Sequence, residues 1–340
     1  ASGGPGGRTT RCSPGTIKAG GINYAIPASG VTQATAGSLI AGTVNKCELL
    51  RGQDLTPRQK YDSVNGTATY KLTDWLTFSL DAFYSKRSFY RRSAISSATV
   101  TVPQTNAFFV RPAGFTGTSY TVDYMFNELP SNDSYGYAES WQITPKLKVK
   151  LPHDFEFEAL AGYGKTHDLS SSYFGINNTA LNAALASSDP TQAFDPYGLG
   201  RTNTALYPSL ANQIFIAPTD GKLKTYEARL NGTLFTLPGG SVKLAAGYER
   251  QDFTVALGSA RGGPTTPLTY RIFGRKVDSV YGEIYLPIFG EGNAIAGFQR
   301  LELNAAVRHD KYSDVGATTN PKFGVNWVPV DGLKLRGSYG

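Results

Sequence analysis

The chain has 340 residues and a formal net charge of +7, from 33 Lys and Arg against 26 Asp and Glu. The excess is spread along the sequence, with no block of five like charges and no nucleic-acid-binding signature, which argues against nucleic acid as a partner. Mean hydropathy is −0.25 and no run approaches the roughly 18 apolar residues that a spanning helix needs, so a helical membrane protein is excluded. Abundant Gly (38), Tyr (20) and Phe (18) with scarce Cys (2) and Met (1) favour strands and turns, and an all-β chain is expected.

The first residues, Ala1–Pro5, carry neither a basic nor an apolar leader region, so a signal peptide is expected to have been removed or to lie upstream of a fragment. Cys12 and Cys47 are the only cysteines and sit in one Gly/Thr-rich stretch. In an oxidising periplasm or at the cell surface they are expected to pair, closing a loop of about 35 residues and stabilising by about 3 to 4 kcal/mol on the loop-entropy model. Metal binding there is disfavoured, because residues 1–60 contain no histidine.

From Val64 onward the chain repeats one unit: two alternating segments joined by a short polar turn, followed by a long excursion. Five such hairpins can be read. They pair Val64–Tyr70 with Leu76–Ala82, Trp141–Val149 with Phe155–Tyr163, Tyr226–Leu234 with Val242–Tyr248, Val280–Leu286 with Leu301–Arg308, and Phe323–Val328 with Leu333 onward. The last segment stops at Gly340 without a closing turn, which suggests a piece cut at both ends. Irregular excursions are expected over Lys86–Gly136, Leu169–Gly221, Thr254–Arg275 and Ser313–Asn320. Short connections on one rim and long ones on the other are the pattern of outer-membrane barrels, whose long loops face outside. The fold expected is an up-and-down antiparallel transmembrane β-barrel, partial at about ten strands, with long extracellular loops.

The face of each strand supports this. Tyr226, Ala228, Leu230, Gly232 and Leu234 share one uncharged face, while Glu227, Arg229 and Asn231 share the other. Segments of about nine tilted residues cover on the order of 20 Å of membrane. Aromatics near segment ends (Trp75, Tyr84, Tyr163, Tyr248, Tyr285, Trp327) suit an interfacial girdle. Pro145 resists, since it removes a ladder donor inside an alternating run; a bulge, or a strand starting nearer Lys146, is expected there.

The stretches Val280–Ile288, Leu301–Asp314 (LELNAAVRHDKYSD), Thr319–Gly324 and Leu333–Gly340 resemble the barrel of a TonB-dependent outer-membrane receptor. The resemblance is specific over roughly residues 223–340 and by pattern only over 60–170. It implies a barrel of about 22 strands enclosing a plug, of which this chain would hold residues 59–340 as barrel and residues 1–58 as an extracellular loop entered midway. Nothing before Tyr61 resembles a plug or a TonB box, so the plug is expected to lie outside the chain. Implied partners are TonB, acting through that plug, a small-molecule ligand such as a ferric siderophore, and outer-membrane lipid. The implied location is the bacterial outer membrane.

Candidate ligand residues come from aromatic and arginine clusters in the first long excursion: Arg91, Arg92, Phe108, Phe109, Arg111, Tyr120 and Tyr124. Such groups suit an anionic metal chelate or a sugar ring, and packing of the loops against one another is the competing explanation. His153, His167 and His309 are too scattered for a local ligand set, and no cofactor is expected. Gly162–Thr166 lacks the first glycine of a phosphate-binding loop, Ala159 standing in its place. No HExxH, GxSxG or Cys-x-x-Cys occurs, so no enzymatic motif is present. The alternatives to a TonB-dependent receptor are a passive outer-membrane porin and a secreted β-rich glycan-binding protein.

Overall fold

A computed structural model of the chain describes residues 8–48, 50 and 52–340, so Ala1–Pro5 lies outside the described residues. The N-terminal part holds four short strands, β1 (Arg8–Thr9), β2 (Thr16–Ala19), β3 (Ile22–Ala25) and β4 (Cys47–Glu48). Then come β5 (Arg58–Lys71), β6 (Leu76–Arg91), β7 (Ser97–Pro103), β8 (Ser119–Met125), β9 (Ser134–Lys150) and β10 (Glu156–Gly175). Helices α1 (Asn178–Ala186) and α2 (Tyr207–Leu210) precede β11 (Gln213–Leu237), β12 (Gly240–Gly262), β13 (Thr269–Phe289), β14 (Arg300–Tyr312), β15 (Gly316–Val330) and β16 (Leu333–Tyr339).

Among the described residues, ten strands make one antiparallel sheet in the order β16-β15-β14-β13-β12-β11-β10-β9-β6-β5. Its neighbours are the five hairpins read from the sequence and the pairings between them. Short polar turns close one rim. Thr73 Oγ1 accepts from the Leu76 N–H at 3.0 Å, Pro238-Gly239 alone joins Leu237 to Gly240, and His153 and Asp154 adopt left-handed φ of 62° and 59°. That conformation is tolerated by short polar side chains able to bond their own backbone.

One face of the sheet carries no charge over a band crossing all ten strands. In register order it includes Val64 and Ala68 on β5, Phe78 and Leu80 on β6, Ile143 and Leu147 on β9, and Ala159 and Ala161 on β10. It continues through Ala228 and Leu230, Leu244 and Ala246, Gly282 and Ile284, Leu303 and Ala305, and Phe323 and Val325, to Leu335 and Gly337. Tyr84, Trp141, Tyr163, Tyr226 and Tyr248 edge this band toward the long-loop rim. Directly beyond them the same face carries charges. An apolar belt ended by aromatics and then charge is the surface that a bilayer requires of a barrel. No helix among the described residues is long and apolar enough to cross a membrane.

Three expectations need correction. Tyr285 is not part of the girdle, because it stands on the polar face opposite Lys243 and Asn304, and Trp75 lies in the β5–β6 turn. Pro145 causes no bulge: β9 keeps one register with β10 from Lys146 to Ile143, and only the pairs opposite Ala161 and Gly162 are missing. The β6 side, where Leu80 faces Pro145, stays regular, so the sheet gives up a local piece of one ladder while the ring sits on the apolar face. Finally, nine of the ten sheet strands exceed nine residues, reaching 25 in β11 and 23 in β12, while β16 has 7. Most of Thr254–Arg275 is therefore strand, with only residues 263–268 as the connection. Beyond the girdle both faces meet water, so alternation ceases while backbone pairing continues.

The opposite face is polar and ionic. Arg229 pairs with the buried Glu158 at 2.7 Å, Tyr281 donates to Glu227 at 3.3 Å, and Arg308 bridges Glu249 at 2.9 Å and Asp310 at 2.8 Å. Ser279 adds a hydrogen bond to Asp310 at 2.5 Å. Gly247 opens the path for this ladder: a Cβ there would stand 2.5 Å from the Tyr281 ring and hydroxyl.

The excursions are not irregular. Segments from the first two of them join the N-terminal part in a cap around a four-stranded sheet of order β3-β2-β8-β7, with α1 against β7. Its apolar core joins Ile17 and Val31 of the N-terminal part, Val102, Val122 and Phe126 of the β7–β8 region, and Leu185, Phe194 and Tyr197 of the third segment. The disulfide Cys12–Cys47, Cα–Cα 5.7 Å, ties β4 to the segment just after β1, beside this sheet.

Asp123 on β8 is buried at the junction of the cap strands and accepts from Lys18 Nζ at 2.8 Å, from Thr99 at 2.7 Å and from Thr10. Burial alone would raise its carboxyl, but the bonds from Lys18, Thr10 and Thr99 more than offset this and hold it below the ordinary carboxylate range. A depressed acid contributes stability that is present above its unfolded pKa and lost as pH falls through the folded one.

Acidification below about pH 4 is therefore expected to weaken the cap, and Asp123→Asn to flatten that dependence while lowering stability at neutral pH; thermal melts across pH measure both. Replacing Cys12 and Cys47 by Ser removes a cross-link of sequence separation 35 and is expected to cost the cap about 3 to 4 kcal/mol. Leu230→Arg, on the uncharged band, is expected to cost about 2 to 4 kcal/mol in urea titrations of the barrel folded in lipid vesicles.

Candidate functional site

Where the cap meets the upper end of β6 there is a cavity of about 740 Å³, lined among others by Ser13, Cys47, Glu48, Arg92, Met125 and Ser131. Its size suits a small molecule. The sequence supplies its lining from four separate stretches, and the disulfide residue Cys47 forms part of one wall. Arg92 enters through its position just after β6. Its backbone is pinned by Asp54, which accepts the Arg92 N–H at 2.8 Å while the Asp54 N–H donates to the Arg92 carbonyl at 3.1 Å. Next to it the Ser93 N–H donates to Asp133 at 3.0 Å, and Asp133 also accepts from Ser131 at 2.8 Å and from Tyr90. Burial would raise the Asp133 carboxyl, but these bonds from Tyr90, Ser131 and Ser93 hold it below the ordinary range. Asp54 and Asp133 thus fix the backbone of Arg92 and Ser93 behind the cavity wall, and the exposed Arg92 and Glu48 are its charged lining residues.

The seven residues singled out from the sequence divide. Arg91, the last residue of β6, and Arg92 are exposed near this cavity. The other five belong to the cap's packing. Tyr120 and Tyr124 are only 4% and 5% exposed. The Tyr120 hydroxyl donates to the Val110 carbonyl at 2.6 Å and meets the Tyr197 hydroxyl at 2.6 Å, and burial pushes both phenols far up. Tyr124 donates to Glu128 at 3.1 Å, and burial raises the Glu128 carboxyl. Arg111 donates to the carbonyls of Phe115 and Gly117 at 3.2 and 3.0 Å and lies over the Phe109 ring at 5.4 Å. Phe108 is covered by Arg201 at 4.4 Å, a cation whose guanidinium is held by the buried Asp195.

Sequence reasoning missed Ser13, Glu48, Met125 and Ser131 as cavity residues. None belongs to a motif, and the only available signal was their nearness in sequence to Cys12, Cys47 and the Arg91-Arg92 pair. The histidines are dispersed: His153 is in the β9–β10 turn, His167 pairs with Asp220 at 2.6 Å, and His309 bonds Thr319 at 2.7 Å.

Among solved structures the chain is similar to the outer membrane transporter YddB from Escherichia coli, at 11% identity and a TM-score of 0.43, over 90% of this chain and 32% of that one. The chain thus spans about a third of the length of that transporter. No curated protein matches its sequence. The family model described as TonB dependent receptor-like, beta-barrel matches residues 90–340. The uncharged belt, its aromatic edge and this match, over well more than half of the chain, agree: the protein belongs to the TonB-dependent receptor β-barrel family and resides in the bacterial outer membrane.

Proposed function

We propose that the whole protein to which this barrel segment belongs is a receptor that captures a scarce small molecule at the cell surface and imports it with energy delivered through TonB and a plug domain. In this reading residues 1–58 and the other cap segments face outside, and residues 59–340 supply part of the barrel wall. The observation that carries it is the cavity of about 740 Å³ placed between a folded cap and the top of a membrane-crossing sheet. A ferric siderophore is the cargo class we favour. Its anionic chelate matches the exposed Arg91 and Arg92, while Phe108, Phe109, Arg111, Tyr120 and Tyr124 shape the cap that presents them. A passive porin would share the ionic inner face, since a water-filled lumen also needs polar walls.

The test is growth of a deletion strain under iron, cobalamin or glycan limitation, complemented by wild type or Arg92→Glu. Expected are a defect under iron limitation that needs TonB for its rescue, and an Arg92→Glu variant requiring about tenfold more ferric siderophore for half-maximal uptake. Uptake that persists without TonB would establish the passive channel. A defect confined to cobalamin or glycan limitation would replace the cargo.

A further inference from the structure

Just beyond the aromatic edge, the outward face of the sheet carries cations and acids, and most of them pair. Lys86 bonds Glu139 at 3.2 Å, His167 bonds Asp220 at 2.6 Å, Arg250 bonds Asp278 at 3.3 Å, and Lys276 approaches Asp252 at 4.0 Å. One cross-strand position instead sets two cations face to face. Lys165 on β10 is the direct cross-strand partner of Lys222 on β11, and among the described residues neither has a carboxylate within ion-pair distance. Two like charges in direct cross-strand register destabilise a sheet, and an anion between them would relieve this pair.

The position is concave. A groove of about 440 Å³ on this face is lined by Trp141, Lys165, His167, Asp220, Lys222 and Thr254, among others. Its two neighbouring carboxylates, Glu139 and Asp220, are already engaged by Lys86 and His167. Trp141 and Tyr163, at its lower edge, mark the headgroup level of the bilayer. Below them run Ala161, Tyr226 and Ala228, the apolar band that acyl chains cover. Lys165 lies 5.8 Å over the Tyr163 ring, on the same face.

We infer that this groove binds the phosphate of a lipid headgroup in the outward leaflet, with Lys165 and Lys222 as its charge partners and the Thr254 hydroxyl as a further donor. Two ammonium groups matched to one phosphate make charge-assisted hydrogen bonds, and the bound phosphate removes their mutual repulsion. The site is separate from the cap cavity and does not depend on what the barrel carries.

Native mass spectrometry of the full-length protein in detergent, titrated with lipid A, dephosphorylated lipid A or inorganic phosphate, tests this. Lysine-to-glutamine replacement at both positions (K165Q/K222Q) is expected to weaken lipid A binding about tenfold, and the wild type to bind dephosphorylated lipid equally weakly. K165R/K222R should keep the affinity. Heat-dependent gel mobility checks that each variant is folded; were the glutamine variant not to fold, the arginine variant and the dephosphorylated lipid still decide. Undiminished binding by folded K165Q/K222Q, or equal binding of the two lipids by wild type, overturns the site. Displacement of lipid A by equimolar inorganic phosphate would assign the groove to the free ion and overturn the lipid assignment.

Discussion

Backbone in hydrocarbon must pair every N–H and C=O with a neighbouring strand and show the lipid nothing charged. Nearly everything else in this molecule follows from that demand. It forces the alternation of Ala228 and Leu230 with Glu227 and Arg229, and it gathers the polar halves of ten strands onto one face. There they satisfy one another, Arg229 with Glu158, Tyr281 with Glu227, and Arg308 with Glu249 and Asp310. Gly247 belongs to the same demand, because only a missing side chain lets the Tyr281 ring cross toward β11. Pro145 shows how far the rule bends: a missing donor is accepted where its ring still meets lipid.

Beyond the aromatic edge the solvent changes, and so does the logic of the chain. Strands continue on backbone pairing alone, with ion pairs on the outward face. The buried aliphatic cluster then gathers in the cap, which is organised like a small water-soluble domain around Val102, Val122, Phe126 and Phe194. One chain thus satisfies two solvents, with its charge pattern reversing at the boundary marked by Tyr84, Trp141, Tyr163, Tyr226 and Tyr248.

The sequence spoke most clearly where the membrane constrained it. All five hairpins and the turn at Pro238-Gly239 were legible, because period-two alternation is a product of having lipid on one side only. Strand length was not legible, since β11 and β12 run on into water, where Lys222, Lys224 and Asp252 break the pattern without breaking the ladder. The cap was hidden for another reason. Its strands β7 and β8 have 7 residues each, and their partners β2 and β3 come from far upstream. The aromatic and arginine clusters were visible, but composition does not distinguish Arg111, spent on the carbonyls of Phe115 and Gly117, from the exposed Arg92. Tyr285 looked like its neighbours Tyr281 and Tyr248, and only the register sorts them by face.

The cap draws on three separated stretches, and this has a consequence for the order of assembly. The β7–β8 hairpin is local and can close by itself, but Ile17 meets Val122 and Val31 meets Tyr197 only across more than a hundred residues of intervening chain. Such contacts carry a loop-closure cost that rises with separation. The pairings of β6 with β9 and of β10 with β11 shorten that separation by holding the ends of the excursions side by side. Membrane strands therefore act as the template on which the cap condenses, and a lesion that delays their pairing should be felt first outside the membrane, as an unformed lid on a finished wall.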